Sequence, residues 1–204
     1  MLYAWLGIGA RIGAPDPRGG DQPDPPERCR ADHGRADGDA GQFTDPRLGV
    51  STVSSTYLPE GLPQPGTGPD GLAEPYWAGT REGKLRIQRC SACQSWQWGP
   101  EWICHRCHSF EMAWVDIVGR GHIYSYERPH HPVHAALHGH GPYLVVLVEL
   151  PDYGRVRMIG NLLGDPRQAV VIGAAVEAVF EPHDNSDPPY TLVQWRLVSG
   201  HTDA

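Results

Sequence analysis

The sequence predicts a mostly β protein: a short helical lead-in, a four-cysteine zinc ribbon and a five-stranded OB-like barrel. Three observations carry that expectation. Four cysteines fall in a Cys-x2-Cys-x10-Cys-x2-Cys pattern at Cys90, Cys93, Cys104 and Cys107. Five short β-patterned runs follow them, separated by Pro, Gly and Asp turn signals. The first 75 residues hold 11 of the 20 prolines and 13 of the 25 glycines, so order is expected to begin late in the chain.

Residues 1–56 are expected to form a disordered, low-complexity tail. Stretches such as PDPRGGDQPDPPERCRADHGRADGDAG cannot bury enough apolar surface to offset their chain entropy. Met1 to Ala10 are apolar but lack a basic n-region, so they do not read as a signal peptide. The fifth cysteine, Cys29, lies in this stretch with no visible pocket or partner base and is read as incidental.

Residues 57–88 are the helical lead-in. Within Leu72–Arg89, Tyr76 and Trp77 are large apolar anchors and Gly83 is placed as a helix C-cap. Leu85 and Ile87 then alternate with Lys84, Arg86 and Gln88, which reads as a short strand running into the first knuckle.

Residues 89–116 are the ribbon. Each Cys-x-x-Cys places two thiolates on one side of a tight turn. Two such turns facing each other make a closed tetrahedral site for zinc, with Zn–S distances of about 2.3 Å. Four protein ligands leave no open position, so the metal is expected to be structural. Disulfides suit small secreted scaffolds, and five cysteines in 204 residues is not a disulfide-rich composition. Two Cys-x-x-Cys pairs outside a strand-to-helix context argue against a redox pair, and iron–sulfur spacings differ. His105 and His108 flank the second knuckle, and imidazole also binds zinc, but the thiolates occupy the expected positions. Trp96, Trp98, Pro100 and Trp102 fill the interval between the knuckles. Thiolate zinc sites suit a reducing cytoplasm.

Residues 117–200 are the barrel. Strands are expected at His122–Glu127, Tyr143–Leu150, Arg155–Gly160, Val176–Glu181 and Leu192–Leu197. One helical turn is placed at Asp165–Val171, between the third and fourth strands. The OB-fold is the five-stranded barrel with a connection at that place.

The formal charge of −7 gives no reason to expect a polyanionic partner. From Lys84 onward, ten Lys/Arg face twelve Asp/Glu, with no basic stripe. No apolar run approaches the roughly 18 residues of a membrane helix. Tyr124, Tyr126, Tyr143 and Trp195 offer a stacking platform for bases, which makes single-stranded nucleic-acid binding the alternative function. Without a basic groove they read better as core or protein interface. The histidines His130, His131, His134, His138 and His140 sit in a Pro/Gly-bounded loop with no carboxylate to fix a metal site. The carboxylates Glu149, Asp165, Asp184 and Asp187 are scattered and form no acid/base couple. Neither a nucleophile-elbow motif nor a phosphate loop is present.

The segments PYWAGTREGKLRIQRCSACQSW and GPEWICHRCHSFEMAWVDIVGRGHIYSYE, together with PYLVVLVEL and VIGAAVEAVFE, resemble a known family. It is the rubredoxin-like zinc-ribbon plus OB-fold family, formerly domain of unknown function thirty-five. The resemblance spans about Ala73 to Val198 and omits the N-terminal tail. It implies that Cys90, Cys93, Cys104 and Cys107 bind zinc. It also implies a non-catalytic role beside a thiolase-like partner, a sterol-carrier-type thiolase or an aldolase. Acyl-CoA metabolism, including lipid or steroid side-chain degradation, is the implied setting, with direct acyl-CoA contact as an added feature. Arg86, Arg89, Arg120 and Arg128 are then the candidates to meet phosphates, because Lys84 is the one lysine. The chain departs from the family where Gly99-Pro100-Glu101-Trp102-Ile103 replaces a proline pair and a basic residue.

Overall fold

The computed structural model describes residues 55–198 except 67 and 69. Cys29 and nearly all of the expected tail lie outside the described residues. The order of elements is helix α1 (Glu74–Arg81), strands β1 (Leu85–Cys90), β2 (Trp96–Gln97) and β3 (Met112–Ile117), then β4 (Arg120–Glu127), β5 (Val145–Leu150), β6 (Val156–Asn161), β7 (Ala175–His183) and β8 (Tyr190–Leu197). Three strands form the ribbon sheet in the order β2-β1-β3, and five form the barrel sheet in the order β6-β5-β4-β7-β8. All the ladders are antiparallel. The structure is mostly β with one helix, a four-cysteine cluster and a nearly closed five-stranded barrel, as the sequence predicts.

Helix α1 stops where the sequence places its cap. Gly83 adopts φ 71°. Its N–H donates to the Thr80 carbonyl at 3.0 Å, and the Lys84 N–H donates to Gly79 at 2.8 Å. This pair of bonds is the Schellman motif, which favours glycine at that position. The helix buries Tyr76 and Trp77. With Ala73, Leu85, Ile87 and Ile117 they join the barrel's interior residues in one core. The helix therefore welds ribbon to barrel rather than merely leading into the ribbon. A second weld lies at Tyr153, whose ring meets Trp96 edge-on at 5.1 Å and whose hydroxyl accepts from the Val118 N–H at 2.9 Å.

The barrel strands match the expected runs to within a few residues. The interior is filled by alternate residues such as Ile123, Val148 and Met158, which sit in register across β4, β5 and β6. The ladder shifts between Ile123 and Ser125, so Tyr124 is the extra residue of a bulge. The seam between β6 and β8 is closed by a short parallel bridge, Leu162 to Trp195, and by side chains. Gln194 Oε1 accepts from the Asn161 N–H at 2.8 Å, and the Asn161 side chain donates to the Leu144 carbonyl at 3.0 Å. Gln194 Nε2 in turn donates to buried Glu181.

One expectation is corrected. Asp165–Val171 is not a helical turn. Asp165 accepts from the Arg167 N–H through its side chain and from the Gln168 N–H through its carbonyl, which makes a side-chain-stabilised turn. Gln88, a polar position of the alternating strand, is buried, because both faces of β1 are covered. In addition, Tyr57, Leu58 and Leu62 pack on Leu137, Tyr143 and Val145 in a second apolar cluster, so the start of the lead-in belongs to the barrel wall. Tyr57 is stitched there at both ends: its N–H donates to Glu181 at 3.1 Å and its hydroxyl accepts from the Leu144 N–H at 3.1 Å.

Candidate metal centre

The two Cys-x-x-Cys turns have the same backbone design. The Cys90 N–H donates to the Ser95 carbonyl, and the Gln94 N–H returns to the Cys90 carbonyl, both at 2.9 Å. The Cys104 N–H donates to Ser109 at 2.9 Å, and the His108 N–H returns to Cys104 at 3.0 Å. In each turn the fifth residue is left-handed, Gln94 at φ 62° and His108 at φ 60°. Each turn folds its two thiols to one side, and the β1–β3 ladder brings the sides together.

All four sulfurs lie within 4.8 Å of one another. Cys90 Sγ is 3.6 Å from Cys107 Sγ, and Cys93 Sγ is 3.7 Å from Cys104 Sγ. A tetrahedron with Zn–S of about 2.3 Å has sulfur–sulfur edges of about 3.8 Å, so the cluster has the size that zinc requires. Among the described residues, these cysteines are the one group of three or more ligand side chains close enough to share a metal.

The electrostatics agree with the geometry. Burial alone would raise the Cys104 thiol, but hydrogen bonds from the Ser95 hydroxyl and from the N–H groups of Cys107 and Arg106 bring it down to about 5. Cys107 gains from the Ser109 backbone, yet the crowd of Cys93, Cys90 and Cys104 sulfurs pushes it up to about 12. Four thiols this close cannot all ionise without a cation between them. A dication removes that conflict, and thiolates are the form that zinc binds.

Ser95 is the side-chain partner of the cluster, with its hydroxyl 3.0 Å from Cys93 Sγ and 3.3 Å from Cys104 Sγ. Two buried glutamines hold the loop between the knuckles. Gln97 Oε1 accepts from the His105 N–H at 2.9 Å and meets His105 Nδ1 at 2.8 Å, while its Nε2 donates to the Ile103 carbonyl at 3.3 Å. Gln88 Oε1 accepts from the Glu101 N–H at 2.9 Å. Sequence reading missed all three side chains. A hydroxyl two residues after Cys93 is a usable signal for Ser95. No pattern marked the glutamines, since an alternating strand assigns Gln88 to solvent.

The other candidate residues divide by environment. His105 is held by Gln97. Within the histidine loop, His134 Nδ1 accepts from the Ala136 N–H and caps the 3-10 turn Ala135–Leu137. Trp195 and Tyr143 are buried, whereas Tyr124 and Tyr126 are exposed, so the four rings do not share one platform. Arg86 is paired with Asp116 and Glu82, and Arg89 lies over the Trp96 ring. Arg128 donates to the Gln168 carbonyl. Glu149 is held by Arg155 and Arg157.

Comparison with known proteins agrees with this architecture. Residues 77–113 match the family model described as the ChsH2 rubredoxin-like zinc ribbon domain, and residues 114–181 match the ChsH2 C-terminal OB-fold domain. A solved structure described as an "Ltp2-ChsH2(DUF35) aldolase" is 34% identical, with a TM-score of 0.53, over 61% of this chain and 93% of that one. A DUF35 protein of unknown function from Sulfolobus solfataricus is 17% identical over 64% of this chain and 86% of that one, with a TM-score of 0.42, a likeness too weak to build on. A curated relative from Thermomonospora curvata, named "Probable enoyl-CoA hydratase alpha subunit", is 35% identical over 121 residues, or 59% of this chain. The chain spans 36% of that relative's length. The paired thiolate turns, the barrel that follows them and these matches lead to one conclusion: the chain belongs to the ChsH2-type DUF35 family, a rubredoxin-like ribbon carrying structural zinc followed by an OB-fold.

Proposed function

We propose that this chain is a non-catalytic zinc-ribbon and OB-fold subunit that binds a thiolase-like partner, a thiolase or an aldolase, and supports acyl-CoA metabolism. Lipid or steroid side-chain degradation is the setting it fits. The observation that carries this reading is the 34% identity to the Ltp2-ChsH2(DUF35) aldolase chain, 93% of which is covered. The name of the Thermomonospora relative, an enoyl-CoA hydratase subunit, points to acyl-CoA chemistry as well.

In this reading Cys90, Cys93, Cys104 and Cys107 are the zinc ligands. When bound, zinc supplies a rigid cross-link between the knuckles. The residues of this chain orient the ribbon against the barrel through α1 and Tyr153, and so present fixed surfaces to the partner. Catalytic groups are assigned to the partner; among the described residues, Glu149 is engaged by two arginines, Asp165 by its turn, and Glu181 by Tyr57, Gln194 and His183. We divide the chain into a tail at 1–56, a lead-in at 57–88, a ribbon at 89–116 and a barrel at 117–200, and assign it to the cytoplasm. Among the described residues, no helix is long and apolar enough to cross a membrane.

The test is co-expression with the thiolase-like protein of the same genome, followed by size-exclusion chromatography and acyl-CoA turnover. A stable complex, active only when both proteins are present, is expected. A chain that stays separate, or that turns over acyl-CoA alone, overturns the proposal.

A further inference from the structure

The segments on either side of the second knuckle combine a pinned backbone with exposed apolar side chains. Trp102 is 58% exposed, Ile103 38% and Phe110 77%. Ile103 and Phe110 are the residues immediately outside the Cys104–Ser109 hydrogen bond, so they flank the second knuckle at its entry and exit. Trp102 precedes Ile103, and its indole N–H is already spent on Asp70 at 3.3 Å. The indole keeps more than half of its surface exposed although its polar atom has a partner.

The backbone beneath these side chains is not loose. The Glu101 N–H is held by Gln88, and the Ile103 carbonyl and His105 N–H are held by Gln97. Both glutamines are buried. Ordering an interface segment on binding costs affinity, and a segment already ordered avoids that cost. An aromatic side carries about 150–250 Å² of surface, so the exposed parts of Trp102 and Phe110 alone come to a few hundred Å², on the order of a functional surface patch.

The same knuckle carries the one exposed zinc ligand. Cys107 is exposed, whereas Cys90 and Cys104 are buried and Cys93 is half-buried. With zinc bound, four thiolates would leave the cluster a net charge of about −2, and Cys107 is its exposed member. The complement of such a surface is an apolar socket with N–H or cationic donors at one edge.

We infer that Trp102, Ile103 and Phe110 form the docking patch that seats the ribbon in an apolar socket on its enzyme partner, with donors of that partner closing over Cys107. This inference rests on the partner reading proposed above. Among the competing exposed apolar surfaces are the barrel's outer face, with Tyr124 and Ile159, and the Val171–Ile172 loop. On the outer face the Arg157 guanidinium already covers the Tyr124 ring at 3.5 Å.

The experiment measures affinity for the co-expressed thiolase-like protein and the rate at which a chromogenic chelator strips zinc from the free chain and from the complex. The double variant Trp102→Ala/Phe110→Ser is compared with Ile159→Ser. The ribbon variant should keep its zinc and its melting temperature yet bind at least about 30-fold more weakly, as expected on removing central aromatic anchors. Ile159→Ser should bind as the wild type does, and zinc stripping should be slower in the wild-type complex than in the free chain. Wild-type binding combined with undiminished binding by the ribbon variant overturns the docking patch and leaves the partner proposal standing. Equal stripping rates in free chain and complex show that the partner does not cover Cys107 and overturn it too. Self-association of the chain through the same residues assigns the patch to a second copy and also overturns it. Absence of any wild-type complex overturns the partner proposal itself.

Discussion

Replacing Gln97 with leucine tests whether a buried side chain, and not the metal alone, sets the second knuckle. Gln97 is buried, and leucine has a similar size, so the substitution leaves little cavity. What it removes is polar. The Ile103 carbonyl loses the Nε2 donor at 3.3 Å, and the His105 N–H loses the Oε1 acceptor at 2.9 Å, on either side of Cys104. The bond to the carbonyl is long, so it contributes about 0.5–1.5 kcal/mol. The bond from the His105 N–H is part-buried, and leaving that donor unpaired costs about 1–3 kcal/mol. The expected loss is about 2–4 kcal/mol, or about 5–15 °C in Tm for a chain of this size. Because the orphaned groups bracket a zinc ligand, zinc should also leave faster. Thermal unfolding with zinc bound and competition with a chromogenic chelator are the two assays. A Gln97→Leu protein with unchanged Tm and unchanged zinc release would refute the idea that this side chain positions the knuckle. Gln97→Glu keeps the acceptor for His105 and loses the donor to Ile103, so it should fall between the two.

Cys104→Ser should bring bound zinc, read by elemental analysis, close to zero, and should abolish partner binding, since a buried ligand cannot be replaced by solvent. Gly160→Ala should destabilise the barrel by about 1–3 kcal/mol in urea unfolding, because a new Cβ would stand 2.7 Å from Trp195 Cδ1 and 2.8 Å from the Val193 carbonyl. Glu149 is raised by burial but lowered more by Arg157 and Arg155, so its carboxyl sits below the usual range in the folded chain. Its contribution is therefore present above the unfolded carboxylate pKa and fades as pH falls through the folded one. Glu149→Gln should melt lower than the wild type at pH 7, and the two curves should converge in acid; a gap that persists at low pH would show a packing effect instead.

Local chemistry was legible in the chain. Leu85 and Ile87, the alternating runs of the barrel and Gly83 after the helix all report backbone preferences that need no distant partner, and each appears where the pattern places it. The same holds for the cysteines, because a Cys-x-x-Cys turn sets the separation of its own two sulfurs. Residues whose role depends on a distant surface were not legible. Gln88 looks solvent-facing on its strand until the inter-knuckle loop folds over it. Tyr57 looks like the edge of a linker until Glu181, 124 residues away, takes its N–H.

The sequence by itself determined a zinc ribbon followed by a barrel, because ligand spacing and strand periodicity are short-range quantities. Only the tertiary structure decided that α1 and Tyr153 fuse the two into one core, that Tyr143 and Trp195 are interior while Tyr124 and Tyr126 are not, and that Cys107 is the exposed member of the four cysteines. Burial belongs to the packed chain: which face of a strand or knuckle meets water depends on segments far away in sequence, and no local pattern encodes it.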